Sequence, residues 1–114
     1  MINLNHKQLN VYKKSVELVS EIYRLTENYP KAETFGLTSQ MRRAAVSIPS
    51  NLSEGASRKS EKDRKRFYRI SRSSLVELDT QLEISINLNY LNNNNTKKVE
   101  KLANEVFAML SNMI

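Results

Sequence analysis

The sequence predicts an all-α protein: an antiparallel up-down-up-down four-helix bundle whose second helix is kinked at Pro49. Three observations predict it. Apolar residues recur at steps of three and four through four separate segments, the repeat of a helix with a covered face. Only two glycines and two prolines occur in 114 residues, too few for the turns of a sandwich or barrel. The segments are joined by short polar connections, as neighbouring helices of a bundle are. A chain of this length makes one domain, residues 1–114.

The first helix is expected from about His6 to Asn28. Tyr12, Val16, Val19 and Tyr23 recur at steps of 4, 3 and 4, and a second line of Leu18, Ile22, Leu25 and Tyr29 widens that face. The helix is therefore expected to be covered on more than one side, as in a bundle or an oligomer. Pro30 ends it, because the residue before a proline avoids the helical region. After a connection containing Gly36, Thr38 is the expected N-cap of the second helix, its hydroxyl accepting from a free amide of the first turn. Met41, Ala44, Ala45, Ile48 and Leu52 form its core side. Pro49 lacks a donor and crowds the preceding turn, so a kink is expected, with Ser47, Ser50 or Asn51 serving freed carbonyls or a neighbouring helix. The helix should end between Gly55 and Ser57.

Ser60 followed by Asp63 resembles a capping box, and it opens a third helix expected to reach about Leu91. Phe67, Ile70, Ser74, Leu78, Leu82 and Ile86, with Ser71, Leu75 and Ser85 beside them, make its buried stripe. Four asparagines, Asn92 to Asn95, make a turn, since Asn tolerates left-handed backbone. Asn95 or Thr96 caps the last helix, whose core face is Val99, Leu102, Val106, Leu110 and Met113.

Composition excludes several functions. There is no cysteine and one histidine, His6, so neither a disulfide framework nor the usual zinc set is available. No Glu-x-x-His pair supports a di-iron site, no Gly-x-Ser-x-Gly elbow a hydrolase, and no glycine-rich loop a phosphate cradle. Neither a catalytic residue nor a cofactor is expected, and the chain is not expected to be an enzyme. The first residues hold no apolar h-region and no segment is long enough to span a membrane. A cytoplasmic location follows as the expectation.

Charge is where function is expected. From Arg42 to Arg72 there are ten basic residues and three acidic ones, a net of +7, while the rest of the chain nets −1; all of the overall +6 lies in this stretch. Arg58, Lys62, Lys65, Arg66, Arg69 and Arg72 step by three or four, and so share a helix face roughly 20 Å long. Such a face suits phosphates, with Tyr68 among the cations as a stacking side chain. The plain alternative is a solvated face. Basic charge at the start of the third helix and acids (Glu77, Asp79, Glu83) in its second half oppose the helix dipole, so the charge was not placed for helix stability. A second polar cluster, Arg43, Ser47, Ser50, Asn51, Glu54 and Glu77, has two readings. One is a structural network holding the second helix to the third at the proline; the other is a ligand site.

The run from Leu37 to Gly55, LTSQMRRAAVSIPSNLSEG, with Ser60, Phe67 and the Ser74–Leu82 run SLVELDTQL, resembles the four-helix bundle protein family, also known as the 23S rRNA intervening-sequence proteins. It is similar as well to the accessory variability proteins of diversity-generating retroelements. Arg42-Arg43-Ala44-Ala45-x-Ser47-Ile48-Pro49-Ser50-Asn51 is the most specific part. Leu52-Ser53 stands where the family more often has Ile-Ala, and Leu88-Asn89-Tyr90 where it often has Leu-Gly-Tyr. The resemblance implies an antiparallel bundle that assembles as a ring-like homopentamer without enzymatic activity. It further implies RNA or DNA as partner and, in a retroelement, a reverse transcriptase. The rival expectation is a protein–protein interaction module using the basic face for docking.

Overall fold

A computed structural model describes all 114 residues. It contains α1 (Asn10–Thr26), α2 (Leu37–Ala56), α3 (Glu61–Asn87) and α4 (Lys97–Ser111), two short 3-10 turns at Asn5–Gln8 and Lys31–Glu33, and no strand. Each helix packs on its two neighbours in the cycle α1–α2–α3–α4. Contacts between helices give the directions. Ser71 meets Ile48, Ser74 meets Ser47 and Ser85 meets Met41, so α3 runs against α2. Lys14 meets Glu105 while Lys98 meets Glu17 and Glu21, so α4 runs against α1. The body is 44 Å long and 24 by 22 Å across. No helix is long and apolar enough to cross a membrane.

The core lies on the bundle axis. Leu18, Ile22, Met41, Ile48, Leu52, Leu78, Val99, Val106 and Leu110 are fully buried. All five residues assigned to the core side of α2 are buried. In α1 the second apolar line wins. Leu18, Ile22 and Leu25 face the core with Val11 and Ser15, while Val16 and Tyr23 stay 41% and 43% exposed. The two lines sit about 120° apart around a helix of 3.6 residues per turn, and the neighbouring α2 and α4 bury the second while covering the first only in part, at Tyr12 and Val19.

Helix ends differ from expectation where a distant side chain or a backbone twist intervenes. α1 does not continue back to His6, because extended backbone at Leu9 separates it from the preceding 3-10 turn. Thr38 does not cap α2. Gly36 occupies the cap position, and the Leu37 amide donates instead to Glu33 Oε1 at 3.1 Å. Ser60 does cap α3, accepting from the Asp63 amide at 3.1 Å. α3 stops at Asn87, short of Leu91. Asn89 takes φ 62°, and the amides of Tyr90 and Leu91 turn back onto the Ser85 carbonyl. This left-handed stop satisfies the last carbonyls of a helix. In the asparagine turn Asn92 Oδ1 accepts from the amides of Asn94 and Asn95. Thr96 stands at the cap position of α4, but its hydroxyl donates to the Asn92 carbonyl and to Glu100.

α2 continues through Pro49 from Leu37 to Ala56. Side chains serve the carbonyls around the proline. Asn51 Nδ2 donates to Ser47 O at 2.8 Å, and Ser71 Oγ of α3 donates to Ile48 O at 2.8 Å. Farther along, Tyr68 is buried against Gly55. A β-carbon on Gly55 would lie 2.7 and 2.9 Å from two Tyr68 ring atoms and 3.0 Å from the Arg64 carbonyl.

The α1–α4 seam is ionic. The buried Glu21 carboxylate accepts from Arg24 and faces Lys98 Nζ at 3.6 Å. Arg24, then Lys98, holds the Glu21 carboxyl below the usual carboxylate range, against the opposing effect of burial. The Lys14 ammonium does the same to Glu105 at 2.5 Å.

Gly55→Ala is expected to destabilise the fold by about 1–3 kcal/mol, as overpacking does, despite the better helix propensity of alanine. Urea unfolding measures it; a variant as stable as wild type would show that Tyr68 moves freely. The lowered Glu21 and Glu105 carboxyls set the acid response. Their contribution is complete above the ordinary value of 4.5 and is lost as pH falls through the lower folded-state values. Thermal melts of Glu21→Gln should start lower than wild type at pH 7, by about 1–2 kcal/mol. The gap should narrow towards pH 3.

Candidate nucleic-acid interface

α3 carries the basic face because Tyr68 fixes its rotation. With Tyr68 turned into Gly55, positions 62, 65, 66, 69 and 72 fall in an outward arc of about 120°. Lys62, Arg66 and Arg69 are exposed and have no carboxylate partner. Lys65 pairs with Glu61 at 3.1 Å, and this contact holds the Glu61 carboxyl below its ordinary range. Arg58 lies in the connection between α2 and α3, where it pairs with Glu54 at 3.2 Å. Arg72 is half-buried; its Nη1 donates to Ser111 Oγ of α4 at 3.3 Å, and its guanidinium stands 5.9 Å from the Phe107 ring. Three of the six cations thus lack any acid, two share one each, and one is tied to α4.

One aromatic changes role relative to what the sequence suggests, and Arg64, outside the expected face, takes a structural one. Arg64 turns away from the basic arc and latches the connection, donating to the carbonyls of Lys59 at 2.7 Å and Arg58 at 3.3 Å. Tyr68, expected as a stacking side chain, is only 9% exposed and packs inward. Phe67 takes its place in the charged face. Its half-buried ring lies under Arg58 at 4.7 Å and Arg66 at 5.3 Å. The signal for this exchange was present: Tyr68, Ser71, Leu75, Leu78 and Leu82 alternate steps of 3 and 4, a complete core stripe.

The second polar cluster separates into parts. Ser47 and Ser74 share a hydrogen bond of 2.7 Å between α2 and α3, and Asn51 Nδ2 donates to Ser47 Oγ at 2.9 Å. Ser50 is exposed and unbonded, and Glu54 turns to Arg58. Arg43 and Glu77 line one open cleft of about 460 Å³ without pairing; Glu77 instead accepts from Gln81 Nε2 at 3.5 Å. The bonded core of the cluster therefore joins two helices, and Ser71 and Ser74 of α3 belong to it. His6 stands edge-on to Tyr12, with ring centroids 5.2 Å apart, and no group of three or more His, Asp or Glu converges to hold a metal.

The family model described as 23S rRNA-intervening sequence protein matches residues 7–112. Among curated proteins none matches. The chain is similar in fold to a solved structure from Bacteroides thetaiotaomicron, a protein with unknown function from the S23 ribosomal protein family. The two share a TM-score of 0.81 and 23% identity over 91% of this chain and 97% of that one.

Ser71→Ala is expected to cost about 1–2 kcal/mol, because it removes a buried donor from the Ile48 carbonyl beside the proline. The measurement is the urea midpoint of the variant against wild type. An unchanged midpoint would mean that the Ile48 carbonyl needs no second donor.

Proposed function

The chain belongs to the 23S rRNA-intervening sequence protein family, and we propose that it serves as a non-enzymatic, self-associating bundle that binds RNA or structured DNA through the first half of α3. One observation carries the proposal. Lys62, Arg66 and Arg69 project from one arc without a salt bridge to any carboxylate, in a chain whose net charge of +6 is concentrated in this stretch. Unpaired cations at helical spacing attract a phosphate backbone and release its counterions. Contacts of this kind position a nucleic acid and carry no base information, so binding with little sequence preference is the expected behaviour. Arg58, Lys65, Arg66, Arg69, Lys62 and, at the edge, Arg72 are the contacting residues. Phe67, whose ring the Arg58 and Arg66 guanidiniums reach, is an aromatic surface bordering the arc.

Self-association is the second part of the proposal. The family resemblance supports five copies in a ring, which would repeat the basic arc five times and strengthen polyanion binding by avidity. Exposed apolar side chains on the outer faces of α1, α2, α3 and α4, among them Val16, Val46, Val76 and Phe107, support burial against further copies.

The variant Lys62→Gln/Lys65→Gln/Arg66→Gln/Arg69→Gln tests the binding surface. Wild-type affinity for an RNA hairpin should fall steeply between 50 and 200 mM salt, and each cation neutralised should lower the slope of log K against log salt by about 0.7–0.9. The variant should bind at least roughly tenfold more weakly at low salt, yet melt within about 1 kcal/mol of wild type, since Lys62, Arg66 and Arg69 are exposed and Lys65 makes only a surface ion pair with Glu61. Wild-type binding that ignores salt, or a variant that binds as wild type does, would overturn the proposal. A protein partner retained after nuclease treatment would instead favour a docking module.

A further inference from the structure

Two clefts on opposite sides of the bundle have opposite charge. The first, about 580 Å³, lies where α1 meets α2. Its lining includes Arg42 and Arg43, exposed apolar Tyr23 and Val46, and no acid. Arg42 is held in place there: Nε donates to Thr26 Oγ1 at 2.9 Å, Nη2 to Tyr23 O at 3.3 Å, and the guanidinium lies 4.5 Å from the Tyr23 ring. It has no carboxylate partner, and neither has Arg43. The second cleft, about 310 Å³, lies between α3 and α4. Its lining is mainly apolar, with Val76 52% and Phe107 43% exposed, and it carries Asp79 and Glu100 but no cation. Arg72 approaches only its Phe107 end.

From these two surfaces we infer that copies of this chain associate head to tail, the Arg42–Arg43 cleft of one protomer docking on the Asp79–Glu100 groove of the next. The inference rests on the self-association proposed above and names its two faces. Charge complementarity chooses the occupant. Each face paired with its own copy would oppose arginine to arginine or carboxylate to carboxylate, which is costly. Paired with the other, it brings Arg43 to Asp79 and Glu100 and sets Val46 and Tyr23 against Val76 and Phe107. Because the two faces are different patches, the contact is heterologous, and repetition leads to a ring or an open chain rather than a two-fold dimer. The faces lie on different sides of the bundle, α1–α2 and α3–α4, so one protomer can use both at once.

The test uses two single variants of the full chain, Val46→Glu and Val76→Lys. Both sites are exposed, so both variants should keep the wild-type melt. Light scattering first measures wild type. A wild-type monomer overturns self-association and this inference together. If wild type assembles, each variant alone should shift to the mass of one chain, because every junction then carries a like charge. Mixed in equal amounts, the two should re-form species larger than one chain, since each supplies the intact face that the other lacks, and at the alternate junction the introduced carboxylate of one meets the introduced ammonium of the other. Variants that keep wild-type mass overturn the assigned faces while leaving self-association intact. Monomeric variants that fail to pair on mixing overturn the head-to-tail geometry. If either valine variant fails to fold, Arg43→Glu and Asp79→Arg carry the same mixing test with the same outcomes.

Discussion

The close approach of α2 and α3 is the constraint on which the rest of the structure depends. Bulky side chains would hold the two backbones apart. Here α2 buries Ala44, Ala45 and Gly55, and α3 buries Ser71, Ser74 and Ser85. At that distance a serine hydroxyl reaches across to a backbone or a second hydroxyl, as Ser71 does to Ile48 O and Ser74 to Ser47. The proline fits the same seam. A proline inside a helix removes the donor to the carbonyl four residues back, here that of Ala45; Asn51 and Ser71 add side-chain donors to the neighbouring Ser47 and Ile48 carbonyls. The space left by Gly55 is filled by the Tyr68 ring. Gly55 does not need a left-handed backbone, since no glycine here has positive φ; it needs the absence of a side chain.

That packing sets the basic surface. Once Tyr68 is turned inward, Lys62, Lys65, Arg66 and Arg69 have only the outward arc to occupy. The cost is electrostatic, because positive side chains crowd the positive end of a helix. Ser60 at the cap and Glu61 and Asp63 in the first turn offset part of it. The α1–α4 seam is built differently, from Glu21, Arg24, Lys98, Lys14 and Glu105. Its ionic groups respond to acid, whereas the small-residue seam of α2 and α3 does not titrate. The two halves of the bundle therefore answer to different perturbations, acid for one and steric change for the other.

How far the sequence revealed this depends on how many stripes each helix carries. α2 has a single apolar line, and its core residues are legible one by one. α1 has two lines with equal periodicity, and nothing local distinguishes Tyr12-Val16-Val19-Tyr23 from Leu18-Ile22-Leu25; only the placement of three other helices does. The cap of α2 was hidden because its acceptor, Glu33, comes from the preceding 3-10 turn rather than from Thr38. The end of α3 was hidden because a left-handed asparagine, Asn89, stops it. At the basic face the outward placement of Lys62, Lys65, Arg66 and Arg69 was legible from spacing, whereas Arg58 lies in the connection before α3, Arg72 is tied to α4, and the aromatic was not legible. Tyr68 lies among charged residues in sequence and completes a buried stripe in space, so local charge misdirects and helical phase corrects. Arg64 is the same lesson for a cation: its neighbours along the chain are in the arc, but its own phase sends it to the Lys59 carbonyl.

α3 also joins the two proposals. Its first half is basic and its second half carries Glu77, Asp79 and Glu83. On a free chain the nearest acid of the second half, Glu77, lies five residues past Arg72, about 7.5 Å along the helix and so within a Debye length, and weakens that end of the basic face. Head-to-tail assembly changes that balance. Asp79 and Glu100 would then face the arginines of a neighbour and be neutralised there, while Lys62, Arg66 and Arg69 would stay open to solvent. The charge order along α3, unfavourable for an isolated helix, becomes intelligible as a division of surfaces: acid where copies meet, base where a polyanion is met. Assembly and phosphate binding are then coupled through one helix, and the second is strengthened by the first without any change in the residues that touch the phosphates.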